Sequence, residues 1–278
     1  MTRGDVAYYD GTAPASLTPP LILLIESVLS QTQLTPLELA CLAPIVLWAY
    51  TIFGLTGFGS SIMAMPLLTQ IVPLRTAVPM ILFFDLVAGT LLGMRSRSHV
   101  HVGELRRLLP SVVIGMVAGL ALLMYAPERP LLLLLGLFVL LYSAWNLLFK
   151  RGFSELDTRL SVPFGVLGGM LTAMFGTGGP LYTIYLAGRL RDAAQLRATT
   201  STLIVLTAFG RLILFALAGL YANAAIFTLA ALLMPCAIAG YFAGGWLHRR
   251  IAPAKVIRLV WTILIAAGLG LVYRSAPG

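Results

Sequence analysis

A helix that crosses a bilayer must satisfy its backbone N–H and C=O groups internally, so glycine and proline in mid-span are costly there. This chain puts them there twice. The stretch 51-TIFGLTGFGSSIMAMPLL-68 carries Gly54, Gly57, Gly59, Ser60, Ser61 and Pro66, and 171-LTAMFGTGGPLYTIYL-186 carries Gly176, Gly178, Gly179 and Pro180. Each lies in an apolar segment of roughly 30 residues, which is too long for one crossing but sufficient for two half-helices at 1.5 Å per residue.

The surrounding composition is that of a membrane protein. Charged residues make up 10% and hydrophobic residues 59% of the chain, against roughly a quarter charged in soluble proteins. Apolar runs near bilayer length recur from Leu37 to Val272, with none of the period-2 alternation of an outer-membrane barrel. The net charge of +9 does not indicate a nucleic-acid partner, because the basic residues sit in short loops between apolar runs, as cytoplasmic loops require. Residues 1–36 read as a tail with an interfacial helix rather than a cleaved leader. Cys41 and Cys236 fit no metal or disulfide spacing and are expected to be inert packing residues. His99, His101 and His248 fall in basic loops and are expected to be solvated; no third ligand accompanies them, so neither a metal nor any other cofactor is expected.

Coarse helical segments run over 39–73, 76–94, 105–125, 131–149, 160–188, 198–219, 224–247 and 254–273. Set as two groups of four, they align. Gly57-Phe58-Gly59-Ser60-Ser61 answers Gly176-Thr177-Gly178-Gly179-Pro180, Leu74-Arg75 answers Leu196-Arg197, and Pro110…Gly115-x-x-x-Gly119 answers Pro235…Gly240-x-x-x-Gly244. The Gly115/Gly119 and Gly240/Gly244 pairs read as close-packing seams.

Charge adds orientation. Arg95, Arg97, Arg106 and Arg107 follow the second segment, yet the matching loop 220–225 is uncharged; Arg189, Arg191 and Arg197, then Arg249, Arg250, Lys255 and Arg258, follow the fifth and seventh segments, whose counterparts hold little beyond Arg75 and Arg129. Matching loops therefore belong on opposite sides, the mark of an inverted repeat. Each half then needs an odd number of crossings, which the broken segments supply if they enter, break and return. Eight plain crossings is the alternative, and it leaves basic loops on both faces. The expected fold is an all-α polytopic membrane protein of two inverted-topology repeats, 37–150 and 151–278, each a Gly-broken re-entrant segment plus three transmembrane helices.

Two broken helices aim positive half-helix N-termini at one midplane point, and glycine lets a ligand approach that backbone. The candidate anion-binding set is therefore Gly57, Phe58, Gly59, Ser60, Ser61, Gly176, Thr177, Gly178, Gly179 and Pro180, with Tyr182 as a further hydroxyl donor. Asp85 and Arg211 are charges deep inside apolar runs, where each costs about 3 kcal/mol. Arg211 is read as a substrate ligand and Asp85 as a coupling group; a structural ion pair between them is the competing reading. No Gly-x-Ser-x-Gly elbow or His-Glu-x-x-His motif is present, so an intramembrane enzyme is not expected.

At these residues the chain resembles the sulfite exporter TauE/SafE family, also called the toluenesulfonate uptake permease family. The resemblance covers about residues 40–273. It rests on the Gly176–Pro180 motif, on Arg197-Ala198-Thr199-Thr200-Ser201 with its echo Arg75-Thr76-Ala77, and on the paired small-residue seams. The first motif departs from the family pattern by carrying Ser60 and Ser61 where more glycines are usual. The resemblance implies inner-membrane transport of a small sulfur-containing anion, such as sulfite, sulfoacetate or another sulfonate, without ATP hydrolysis. Proton coupling is the expected drive. A passive channel and a carrier of non-sulfur organic anions remain alternatives, and a homodimer remains open as a partner state.

Overall fold

The computed structural model describes residues 34–56, 59–93, 99–148, 155–247, 250 and 253–275. Gly57, Phe58, nearly all of the 1–36 tail, Arg95, Arg97, Lys150, Arg151, His248 and Arg249 lie outside the described residues. Every regular element among the described residues is helical. The first four α-helices are α1 (Pro36–Thr56), α2 (Ser60–Leu68), α3 (Leu74–Gly93) and α4 (Val102–Tyr125). Then follow α5 (Glu128–Leu148), α6 (Ser161–Phe175), α7 (Gly179–Ala187), α8 (Ala193–Leu217), α9 (Ala224–Leu247) and α10 (Pro253–Ser275). Helices α1, α3, α4, α5, α8 and α9 are long and apolar enough to cross a membrane. This is a polytopic helical membrane protein.

Several helices begin a turn earlier than apolar periodicity alone indicates, because polar residues cap them. Thr35 and Glu38 form a reciprocal capping box at the start of α1: Glu38 N donates to Thr35 Oγ1 at 3.2 Å and Thr35 N donates to Glu38 Oε2 at 2.8 Å. Asp192 accepts from Ala194 N at 3.0 Å and starts α8 at Ala193, which puts Arg197 inside the helix rather than at its head. His101 caps α4 through Nδ1, which accepts from Glu104 N at 3.2 Å. His101 is thus a structural cap and not merely a solvated loop residue. Cys41 is exposed on α1 and Cys236 half-buried on α9, so Cys41 is not the packed residue expected from its apolar surroundings.

Both Gly-rich stretches interrupt a helix, between Thr56 and Ser60 and between Phe175 and Gly179. At the second break the chain leaves α6 through Gly176 at φ 74°, a left-handed conformation that glycine adopts without a Cβ penalty. It then folds back on itself. A methyl on Gly178 would overlap Thr172 and the Gly168 carbonyl, and Leu156 N, ahead of α6, donates to Gly188 O, beyond α7, at 3.0 Å. The entry and exit of this hairpin are adjacent, so it begins and ends on one side of the bundle.

The broken segments are packed against helices from the other half. Helix α1 packs along α9 and α6 along α4, while α3 pairs with α8 and α5 with α10. The two seams use the expected glycines in matching ways. A Cβ on Gly115 or Gly119 would strike the carbonyls of Val166 and Met170, and one on Gly240 or Gly244 would strike those of Leu47 and Thr51. Removing the side chain lets the backbones touch, which supplies packing where no hydrophobic drive separates protein from lipid.

A buried carboxylate secures the far end of the second hairpin. Glu104 of α4 accepts from Tyr185 Oη of α7 at 2.9 Å, from Arg189 Nη2 at 3.1 Å and from Arg107 Nη1 at 2.9 Å.

Gly115→Leu and Gly240→Leu should each lower stability by about 1–3 kcal/mol through overpacking, read as a fall in melting temperature in detergent. Gly245→Ala on the same helix as Gly240 meets nothing within 4 Å and should be neutral or gain up to about 1 kcal/mol. Seam variants that melt with the wild type would show that these helices do not depend on close approach.

Candidate functional site

The two breaks meet α3 and α8 around a cavity of about 30 Å³, room for about two water molecules. The first half lines it with Phe53, Gly59, Ser60, Ser61, Ile62 and Asp85, and the second half with Thr172, Gly176, Thr177, Gly179, Pro180, Tyr182, Ile204, Thr207 and Arg211. Ten residues expected at a site from sequence thus converge on one space. Gly178 does not line it; a side chain there would run into Thr172 and the Gly168 carbonyl instead. Gly57 and Phe58 lie outside the described residues.

Asp85 is 7% exposed and Arg211 3% exposed. Their side chains pair at 3.2 Å between Arg211 Nη2 and Asp85 Oδ2. A carboxylate in so apolar a place needs its lone pairs met, and this one has them met almost in full. Asp85 Oδ1 accepts from Tyr50 Oη at 2.7 Å and from Ser60 Oγ at 2.8 Å. Asp85 Oδ2 accepts from Ser61 Oγ at 3.0 Å as well as from Arg211. Ser60 and Ser61 therefore line the cavity but commit their single protons to Asp85, so in this arrangement they are not free donors toward an anion.

Two other donors are uncommitted. Arg211 Nη1 donates to the Thr172 carbonyl at 3.3 Å, but Arg211 Nε has no partner among the described residues. Thr177, only 1% exposed, likewise has a hydroxyl with no partner among the described residues. Buried polar atoms are nearly always satisfied, so two orphans on one cavity call for an occupant that accepts hydrogen bonds. Helix ends add to them. The intrahelical ladder of α7 opens with Tyr182 N to Gly178 O at 3.2 Å, and that of α2 with Met63 N to Gly59 O at 3.2 Å. The N–H groups of Gly179, Ser60, Ser61 and Ile62 precede those first bonds, at the positive ends of the two short helices.

Three participants escaped the sequence reading in whole or part. Tyr50, which bonds Asp85, looks like an ordinary aromatic in an apolar helix. Thr172 joins Tyr182 Oη to Thr172 Oγ1 at 2.8 Å and offers its carbonyl to Arg211. Thr207 sits opposite Asp85 in the repeat alignment and lines the cavity from α8. Their only sequence signal is position: Thr172 lies one turn before Gly176, and Thr207 one turn before Arg211.

The sequence profile described as sulfite exporter TauE/SafE matches residues 42–271. The chain belongs to this family. Among curated proteins, a relative from Comamonas testosteroni, the probable inner membrane transporter protein TsaS, is 29% identical over 194 residues, covering 69% of this chain and 81% of the relative. No solved structure gives a significant match. Family membership identifies the chain as a membrane transporter and places the cavity inside the matched TauE/SafE region.

Removing one partner of a buried ion pair leaves the other uncompensated, at a cost of about 3–5 kcal/mol. Asp85→Asn and Arg211→Gln should each destabilise the protein on this scale. The double variant should cost at least about 1 kcal/mol less than their sum, measured by denaturation in detergent. Strict additivity would mean that the two charges do not support one another.

Proposed function

We propose that this protein is a secondary transporter that carries a small sulfur-containing anion across the bacterial inner membrane, driven by protons. The observation that carries this reading is the pair of buried donors without a partner among the described residues, Thr177 Oγ1 and Arg211 Nε, on a cavity framed by two half-helix N-termini. An oxyanion presents only acceptors to such a lining. Three oxygens on one sulfur would meet the hydroxyl, the guanidinium and the Gly179 amide together. Sulfite, sulfoacetate and other organosulfonates share that head group. The TauE/SafE family name and the inner-membrane relative support the substrate class and the location.

Asp85 is the proposed coupling group. It now holds Arg211, so an arriving anion competes with an internal one. Protonating Asp85 weakens that internal claim and frees guanidinium capacity for the substrate. The small volume of the cavity favours a carrier over an open pore, because an anion larger than two waters enters only if the hairpins move. Two inverted repeats, rocking about the α3–α8 pair, would expose the site to each side in turn.

The reading is tested by melting the purified protein against sulfite, sulfate, methanesulfonate, sulfoacetate and taurine, with acetate and succinate as controls. Binding to the folded state raises the melting temperature with concentration, by about 2.7 kcal/mol at a hundredfold excess over Kd. At least one sulfur anion should produce that rise and the carboxylates should not. Thr177→Val keeps the shape but removes one hydrogen bond to the anion, so it should weaken binding about 10–100-fold. Shifts from carboxylates alone, or undiminished binding by Thr177→Val, would contradict the assignment.

A further inference from the structure

The charge inventory of the cavity fixes more than the presence of an anion. Among its lining residues, the ionised groups are Asp85 and Arg211, one of each sign. The other polar groups facing Asp85 are neutral: Tyr50 from α1, and Ser60 and Ser61 from α2. Across the cavity stand Thr172 of α6, Thr177 of the second break, Tyr182 of α7 and Thr207 of α8, all uncharged. The face of α3 toward α9 meets Met234, Ala237, Ile238 and Tyr241, which add no charge. The empty site therefore has zero net charge, and the apolar bundle around it would make any other value expensive.

We propose that this zero is kept through the whole cycle: one proton binds Asp85 as one singly charged anion takes its place on Arg211, so transport is electroneutral and selects monoanions. The inference rests on the anion-transport reading given above and names its stoichiometry and charge class. An anion entering beside ionised Asp85 would leave the site at −1. An anion entering with Asp85 protonated leaves it at zero. The proton comes from the same aqueous phase as the anion and leaves with it, so no net charge crosses in the loaded state or in the empty return. A dianion such as sulfate, or sulfoacetate with its carboxylate ionised, would leave the protonated site at −1 and is rejected although its oxygens have the right geometry. This narrows the substrate class proposed above to singly charged sulfur anions. Ser60, Ser61 and Tyr50 fit this role, since hydroxyls can donate to a carboxylate and rotate to accept from a carboxylic acid.

The test uses the full chain reconstituted in vesicles, with radiolabelled methanesulfonate, which is singly charged at every working pH. A potassium gradient with valinomycin sets the membrane potential at equal pH, and a pH gradient is imposed separately at zero potential. Wild-type accumulation should follow the pH gradient and change less than twofold with potential, and sulfate should neither accumulate nor compete. A cycle moving one net charge would instead change accumulation about 50-fold for each 100 mV, the equivalent of about 2.3 kcal/mol. That outcome, or sulfate transport matching methanesulfonate, overturns electroneutral proton–monoanion cotransport while leaving anion transport standing. No flux of any sulfur anion overturns both. Asp85→Asn removes the proton site and should convert residual flux to the potential-dependent kind. Should that variant not fold, proton uptake on methanesulfonate binding by the wild type replaces it, with one proton per anion expected and none overturning the proposal.

Discussion

The structure depends on meeting a carboxylate charge in the middle of an apolar bundle. Asp85 cannot be hydrated there by bulk water, and it is held instead by Tyr50, Ser60, Ser61 and Arg211. Those four donors come from α1, α2 and α8, so satisfying one side chain ties both sides of the first break to a helix of the other half. The ion pair need not stabilise the fold relative to an apolar core of equal volume. Its cost makes more sense as the cost of a site.

The breaks follow from the same constraint. A continuous α1–α2 helix would carry Tyr50 and Ser60 about 15 Å apart along its axis at 1.5 Å per residue. Folding the chain at the glycines brings both hydroxyls to one carboxylate oxygen. Gly59 at φ 90° and Gly176 at φ 74° provide the backbone conformations at the two breaks. The matching seams of α1 on α9 and α4 on α6 then hold each broken segment against a helix from the other half, and Glu104 fastens the end of the second hairpin through Tyr185 and Arg189. The result is a closely packed scaffold with a small polar cavity at its centre.

Much of this was legible because it violates the rules of an apolar helix. Glycine and proline in mid-span, and a lone Asp85 or Arg211 in a run of leucines, are conspicuous, and they mark the breaks and the charged pair. The seam glycines were legible from their four-residue spacing. Direction was not. Nothing in the pattern says that Ser60 and Ser61 turn their protons to Asp85 rather than to a ligand, or that Gly178 packs against α6 while Gly179 lines the cavity. Tyr50, Thr172 and Thr207 were hidden because a tyrosine or threonine in an apolar helix is compositionally ordinary. Only three-dimensional neighbours give them a part. Helix starts shifted for a local reason, the caps at Thr35, His101 and Asp192, which periodicity does not register.

The central claim is that the two breaks and the Asp85–Arg211 pair together form one anion site. The most direct measurement is a structure of the full chain with selenite, an electron-rich analogue of sulfite, located by its anomalous signal. The account places the selenium in the central cavity, with its oxygens within hydrogen-bond distance of Thr177 Oγ1 and Arg211 Nε, and with the Arg211 Nη2 to Asp85 Oδ2 separation longer than 3.2 Å. A selenium peak at any other position, with this cavity unoccupied and the ion pair intact, would contradict it.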